Sequence, residues 1–373
     1  MKPATRLVHV GSESSPEHGD IVPPIHLATT YDQRGQDNPR YFYARGENPT
    51  RERLEACLAS IENAERALVL SSGQAAGMTA LSLLTPGQRI VASNDVYGGT
   101  YSLFTLIQRA GMPVSYVDLP DLDAVAEAMG PDVRMIWVET PTNPQLKVSD
   151  IAALAELAKR HDAYLVVDNT FAGPLLQQPL AHGADISLYS TTKSIAGHSD
   201  AIGGALVHNS DELHQHLQSY RTSAGNIPSP FDCFLVQRGV KTMSLRVERQ
   251  VENARVIAQM LTESPMVGAV HYPGLEQHPQ YELARRQMSA PGSIISFQYR
   301  GDVGALLKRV RLWAVAVSLG SVRSLIECPA EMTHRPIPRD QRLALGITDD
   351  LIRLSVGIED SSDLVDDLVQ ALS

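Results

Sequence analysis

Two nearby runs, LVVDNTF (Leu165–Phe171) and SLYSTTKS (Ser187–Ser194), decide the fold of this chain. LVVD is short, β-branched and apolar, and a helical segment precedes it. It therefore reads as a strand buried in a parallel sheet. Asp168 closes that strand, where open α/β sheets place ligand-binding groups. Lys193 follows the next strand, directly behind the hydroxyls of Ser190, Thr191 and Thr192. A carboxylate at one strand end and a lysine among hydroxyls at the next are the groups that a pyridoxal phosphate site needs. The lysine forms the Schiff base, the carboxylate keeps the pyridine nitrogen protonated, and the hydroxyls hydrogen-bond the phosphate. Each group alone has an ordinary explanation as a solvated lysine, a helix cap or a turn. Their combination carries the reading.

Outward from this stretch the alternation is regular. ALVLSS (Ala67–Ser72) is a strand running into a helix opened by Gly73, whose free N–H groups suit a phosphate. RIVAS, VSYV, MIWVE, DISLY and AIGGALVH supply further strands, with Tyr97-Gly98-Gly99 and Ser149 opening helices between them. Alternating β and α segments imply a mostly parallel sheet with helices on both faces. Upstream, residues 1–46 read as irregular, up to Asn48 as an N-cap and Pro49 at the first helical position. Downstream of Asp211 the pattern turns helical, ending in a long helix over Thr242–Glu263. Its basic run Arg246–Arg255 interleaves Glu248 and Glu252 and reads as a solvated face. Beyond Pro265, VGAVHY, IISFQY, WAVAVS (Trp313–Ser318) and LIRLSVG (Leu351–Gly357) alternate with short helices. Arg353 falls inside an apolar strand, and a buried Arg needs an anion: a substrate carboxylate, or an internal ion pair. The expected organisation is an N-terminal segment (1–46), a large α/β domain (47–245), and a connecting helix with a smaller C-terminal α+β domain (246–373).

Composition narrows the function classes. With 373 residues, 43% hydrophobic and 20% charged, the chain has the make-up of a soluble globular protein. Its formal net charge of −10 argues against nucleic acid or an anionic membrane as a main partner. The three cysteines, Cys57, Cys233 and Cys328, show neither a disulfide framework nor zinc spacing. The opening MKPATRLVHVG has no apolar signal core, so a cytoplasmic location is expected. A dinucleotide-binding protein is the competing α/β reading, but the first strand is followed by SSGQAAG, which spaces its glycines wrongly for G-x-G-x-x-G. A protein of this fold that binds without turnover is a third reading, against which Lys193, Asp168, Tyr97 and Arg353 all speak.

YARGENPTR, NDVYGGTY, ETPTNP, VVDNTF, GADISLYSTTKSIAGHSD, SPFDCFLVQRGVKT, MTH and LIRLSVGIED follow one another along the chain. In these motifs and their order the chain resembles the Cys/Met-metabolism (trans-sulfuration) family of pyridoxal phosphate enzymes, which includes cystathionine γ-lyase, γ-synthase and β-lyase and methionine γ-lyase. The resemblance implies fold type I: a mostly parallel central sheet with a smaller C-terminal α+β domain. It implies γ-elimination or γ-replacement on a sulfur amino acid, elimination giving 2-oxobutanoate, ammonia and a thiol. Lys193 resembles the Schiff-base lysine and general acid/base, Asp168 the pyridinium partner, and Tyr97 the tyrosine stacked on the cofactor. Gly73, the Gln74 backbone, Ser190 and Thr192 resemble the phosphate cradle. Tyr43 and Arg45 resemble a pair reaching the phosphate of a neighbouring subunit, in a homotetramer built from two dimers with shared sites. Asn143, Ser318 and Arg353 resemble the groups that hold the cofactor O3′ and the substrate α-carboxylate. The distal pocket departs from the cystathionine enzymes. Phe42, Ser102 and Val317 stand where many of those carry an acid, an arginine and a glutamate, and YFYAR and AVSLG look more like methionine γ-lyase. That enzyme's usual cysteine falls at Gly99, and its lysine–aspartate pair near Arg221 and Thr222.

Overall fold

Local chemistry sets the element boundaries of the computed structural model, which describes residues 1–14, 18–35, 37 and 39–373. Five residues of the expected N-terminal segment thus lie outside the described residues. The helices in chain order are α1 (Pro3–His9), α2 (Pro49–Ile61), α3 (Gly73–Leu81), α4 (Gly98–Arg109), α5 (Leu122–Ala128), α6 (Ile151–Arg160), α7 (Asp211–Ala224), α8 (Pro230–Val240), α9 (Met243–Glu263), α10 (Tyr281–Gln287), α11 (Val303–Arg309), α12 (Arg339–Ala344) and α13 (Ser361–Leu372). Side-chain oxygens cap many of them. Asn48 accepts from the Thr50 and Arg51 N–H groups, with Pro49 at the first position as expected. Ser72, Asp121, Asp150, Ser210 and Asp302 each accept from the N–H three residues on.

The strands are β1 (Arg66–Leu70), β2 (Arg89–Ser93), β3 (Val114–Val117), β4 (Val133–Glu139), β5 (Tyr164–Asp168), β6 (Ile186–Ser190), β7 (Gly204–His208), β8 (Val267–His271), β9 (Ile294–Tyr299), β10 (Ala314–Val315), β11 (Leu325–Glu327) and β12 (Leu351–Ser355). The first seven form one sheet in the order β1-β7-β6-β5-β4-β2-β3. Four of its pairings are parallel; β7 runs against both β1 and β6. Separate apolar clusters cover its faces, one around Leu68, Phe104 and Trp137 and one around Val91, Ile136 and Leu165. The other five strands form a second sheet, β10-β11-β12-β9-β8, packed under α9 and α13 around Ile257, Phe297, Trp313 and Leu354. α9 thus ties the sheets in sequence. Among the described residues no helix is long and apolar enough to cross a membrane.

Several expectations need correction. The opening segment is not wholly irregular: α1 packs Leu7 into a core with α2 and α8. The WAVAVS run is a strand only at Ala314–Val315, because the chain turns away to bring Ser318, at φ 93°, to the lysine. Arg246 is not on a solvated face. It is buried, and its guanidinium donates to the carbonyls of Ser194, Ile195 and Gly239. That guanidinium clamps the loop just after Lys193, and burial lowers its pKa to about 10.

Candidate functional site

The carboxyl ends of β4, β5 and β6 face the N-termini of α3 and α4 across a cavity of ≈ 240 Å³. This is the place where open α/β sheets bind ligands. Gly73 begins α3, and a Cβ there would sit 2.9 Å from Ser190 Cβ. The glycine lets the helix N-terminus close on the end of β6. The Gly73 and Gln74 N–H groups are the first two of the helix and have no carbonyl within it to serve. They lie beside Ser190, Thr192 and Lys193, all lining the cavity. Two N–H groups at a positive dipole end, with hydroxyls beside them, suit a phosphate. The Gln74 side chain is engaged elsewhere, on the Gly99 carbonyl.

Asp168 ends β5 with Oδ1 accepting from the Thr170 N–H at 3.1 Å. Burial pushes its pKa up, while the Thr170 hydrogen bonds and the Lys193 charge pull it down. A cation placed against it would favour the charged form further. Lys193 Nζ donates to Ser318 Oγ at 3.0 Å. Burial lowers the lysine's pKa to about 8, with Arg353 pushing the same way and Glu327 and Asp168 opposing.

Tyr97 lies at the start of α4, and its ring lies back over Gly99, where a Cβ would meet the ring at 2.3 Å. Any side chain at Gly99 would displace the tyrosine as it now sits. Burial raises the Tyr97 pKa, and the nearby Arg353 charge opposes the rise.

Arg353 is buried on β12, where one of its two sequence readings is met. Its Nη1 pairs with Glu327 at 2.8 Å, so the internal ion pair exists. Nη1 also donates to Asn143 Oδ1 and Nη2 to the Ser318 carbonyl. Its Nε–H is buried with no partner among the described residues, on a residue that lines the cavity. The Nε–Nη2 edge of a guanidinium is a fork matched to a carboxylate. For both members of the pair burial works against the charged form: it lowers the Arg353 pKa and raises that of Glu327.

Gly73, Gln74, Tyr97, Asn143, Asp168, Ser190, Thr192, Lys193, Val317, Ser318 and Arg353 therefore all line one cavity. Tyr43 and Arg45 do not. Arg45 donates to the Thr222 carbonyl and lies over the Tyr43 ring, on the surface. Phe42 is 72% exposed and outside the cavity, and the Ser102 hydroxyl turns back onto the Gly98 carbonyl. Of the three distal positions only Val317 lines the cavity of a single chain, near Ile202 and Leu319. Arg221 is buried and paired with Glu55, a structural role.

Sequence reasoning passed over Glu139, Glu327, Thr333 and His334. Glu139 sits opposite Asp168 in register on β4. Its two oxygens accept from the Tyr97 and Asn143 N–H groups, at 3.0 and 2.9 Å. Burial, then the neighbouring Asp168, raises its pKa well above normal. The signal was available: MIWVE ends in an acid one strand away from Asp168. Glu327 lies on the three-residue strand β11, too short to show a pattern.

The model of the family "Cys/Met metabolism PLP-dependent enzyme" matches residues 4–373. The chain resembles a solved cystathionine γ-lyase from Micromonospora echinospora, with 57% identity and TM-score 0.98, covering 100% of this chain and 99% of that one. It likewise resembles an apo structure from the same organism described as a methionine γ-lyase, with 56% identity and TM-score 0.95 over the same shares of the two chains. A cystathionine γ-synthase from Mycobacterium tuberculosis is 47% identical over 99% of this chain and 96% of its own.

Proposed function

This chain belongs to the Cys/Met-metabolism family of pyridoxal phosphate-dependent enzymes, of fold type I, and on that footing we propose that it breaks or replaces the bond from Cγ to sulfur or oxygen in a sulfur amino acid. Elimination yields 2-oxobutanoate, ammonia and a thiol; replacement by a thiol joins two amino acids. One observation carries this reading. The Lys193 amine, the Asp168 carboxylate and the unpartnered Nε–H of Arg353 line a single cavity beside the N-terminus of α3.

The residues present fit the cofactor. Lys193 would bond it covalently, Asp168 would pair with its ring nitrogen, and Tyr97 would cover its ring. Gly73, Gln74, Ser190 and Thr192 would take its phosphate, and Asn143 its ring oxygen. When bound, pyridoxal phosphate supplies an electron sink for charge developing at Cα of the substrate. Arg353, Asn143 and Ser318 orient the substrate carboxylate. Lys193, released to the substrate side and easily deprotonated, moves protons at Cα and Cβ. Tyr97 lines the same cavity as a second group for proton transfer. The large unit 47–245 thus holds the cofactor and the unit 246–373 the substrate carboxylate.

A second reading concerns the substrate. Val317, Ile202 and Leu319 give the distal wall alkyl groups. Stripping water from a second zwitterionic head there costs free energy with no charge to repay it. Methionine or homocysteine suits this wall better than cystathionine, and the likeness to a structure described as a methionine γ-lyase supports the same choice. The assay compares kcat/KM for cystathionine, homocysteine, methionine, and O-acylhomoserine with cysteine, scoring 2-oxobutanoate or cystathionine. A strong preference for cystathionine, unmoved by Val317→Glu, would refute the alkyl-wall reading. Absence of the cofactor's visible absorbance after adding pyridoxal phosphate would contradict the whole assignment.

The assembly belongs to the same proposal. Ile21, Leu27, Phe42 and Tyr43 are exposed on the N-terminal segment. A second copy would cover them and receive Tyr43 and Arg45 at its phosphate site. A homotetramer of two such dimers, in the cytoplasm, completes the reading.

A further inference from the structure

His334 is fully buried and does not line the cavity, yet it stands at one end of a chain of hydrogen bonds around the carboxylate clamp. Its Nε2 lies 2.8 Å from the Asn143 carbonyl oxygen. A carbonyl only accepts, so Nε2 carries a hydrogen. Its Nδ1 lies 3.1 Å from Thr333 Oγ1, and that hydroxyl donates to Glu327 Oε1 at 2.8 Å. The same Glu327 oxygen pairs with Arg353 Nη1, which in turn donates to Asn143 Oδ1. The hydrogen bonds thus run from His334 through Asn143, Arg353 and Glu327 to Thr333, whose oxygen returns beside His334 Nδ1.

This chain is anchored as well. The His334 N–H donates to the Pro329 carbonyl at 2.8 Å. A Cβ at Gly98 would meet the Thr333 carbonyl at 2.3 Å, so this turn is also packed against the start of α4. Burial depresses the His334 pKa to about 3, so the imidazole is neutral and Nδ1 has a lone pair to offer. Thr333 has one hydroxyl hydrogen for two acceptors, Glu327 and Nδ1, and the charged Glu327 takes it. Arg353 therefore keeps a fixed plane: Glu327 and Asn143 hold Nη1, Ser318 holds Nη2, and the Nε edge is left for the ligand.

We infer that His334 is a positioning residue for the substrate carboxylate, fixing Asn143 and through it Arg353, while its neighbour Thr333 fixes Arg353 from the other side through Glu327. The inference rests on the reading of Arg353 as the carboxylate clamp. The test uses the cofactor-loaded enzyme with steady-state kinetics on the best amino-acid substrate. His334→Leu removes the hydrogen bond to the Asn143 carbonyl; His334→Gln keeps a donor for it. His334→Leu is expected to raise KM about tenfold with kcat within about threefold, and His334→Gln to recover most of the loss. The cofactor dissociation constant should move less than KM, because Lys193 and the phosphate cradle, which none of these contacts touches, would hold the cofactor besides Asn143. Should His334→Leu fail to fold, Thr333→Val against Thr333→Ser makes the same comparison, since only the serine keeps the hydroxyl. A raised KM for Arg353→Ala with no change in His334→Leu or Thr333→Val overturns the proposal alone. An unchanged KM for Arg353→Ala overturns the clamp, and this proposal with it. Equal losses in His334→Leu and His334→Gln, with cofactor affinity falling in step, would mark a merely structural role.

Discussion

Lys193 occupies a poor place for a charged amine, and its chemistry follows from that. Its pKa is lowered to about 8, first by burial and then by the Arg353 charge. Only the neutral amine attacks an aldehyde. Covalent capture of pyridoxal phosphate by cofactor-free protein should therefore speed up about tenfold from pH 7 to pH 9 and then level off. A capture rate still climbing steeply above pH 9 would indicate an ordinary lysine. Lys193→Ala should abolish turnover while leaving the circular dichroism spectrum unchanged. Asp168→Asn should still bind the cofactor yet lose rate by about a hundredfold or more, because an amide cannot balance a pyridinium charge. Glu62 makes a separate stability prediction. It is buried, accepts from Ser187 and Tyr189, and burial raises its pKa to about 8. A raised carboxyl pKa leaves stability intact below the unfolded value near 4.5 and loses it as pH climbs towards 8. Glu62→Gln should therefore stabilise by about 3 kcal/mol at pH 7 and by almost nothing at pH 4.5. Equal Tm shifts at the two pH values would exclude the protonation of buried Glu62 as the cause.

At the scale of elements, α3 shows how a helix start becomes a binding site. Ser72 caps the Ala75 N–H, so the Gly73 and Gln74 N–H groups remain for a ligand. A Gly73→Ala methyl would press on Ser190 at 2.9 Å and narrow the cradle. Its expected effect is at least about a tenfold loss of pyridoxal phosphate affinity with little change in helicity, measured by fluorescence titration. Elements with a full hydrophobic period were legible in the sequence. VSYV and IISFQY match β3 and β9 residue for residue. What escaped was set by tertiary packing. β11 has three residues, and Trp313–Ser318 breaks its alternation to deliver Ser318 to Lys193. Arg246 looked solvated because its own helix face interleaves charges. Its true partners are backbone carbonyls from the lysine loop and from α8. Most of the polar residues that touch the cavity were readable because their types are chemically unusual for their places. Glu139 and Thr333, which also touch it, and Glu327 and His334 behind it were not, since they meet their partners only through folding.

At the scale of the molecule, the cavity gathers groups from both sheets: Asp168 and Ser190 from the first, Arg353 from the second. α9 lies between the sheets in sequence, and its Arg246 reaches the loop after Lys193. Loosening one unit against the other would thus disturb lysine and carboxylate clamp together. Two expected site residues are not in the cavity of their own chain. Tyr43 and Arg45 sit on a surface loop closed by a Thr30–Tyr43 bridge, next to exposed Phe42. A loop held in shape while presenting an aromatic and a cation to solvent suits a neighbour's anionic site better than its own. If it serves a partner, catalysis needs Lys193 from one chain and Arg45 from the other. Lys193→Ala and Arg45→Ala should each be inactive alone. Unfolded together in equal amounts and refolded, they should form hybrids in half of the dimers, each with one intact site. Activity should return to about a quarter of wild type, the statistical limit for a two-fold dimer with shared sites. Hybrids isolated by differential tagging that remain inactive would place Arg45 in the service of its own chain.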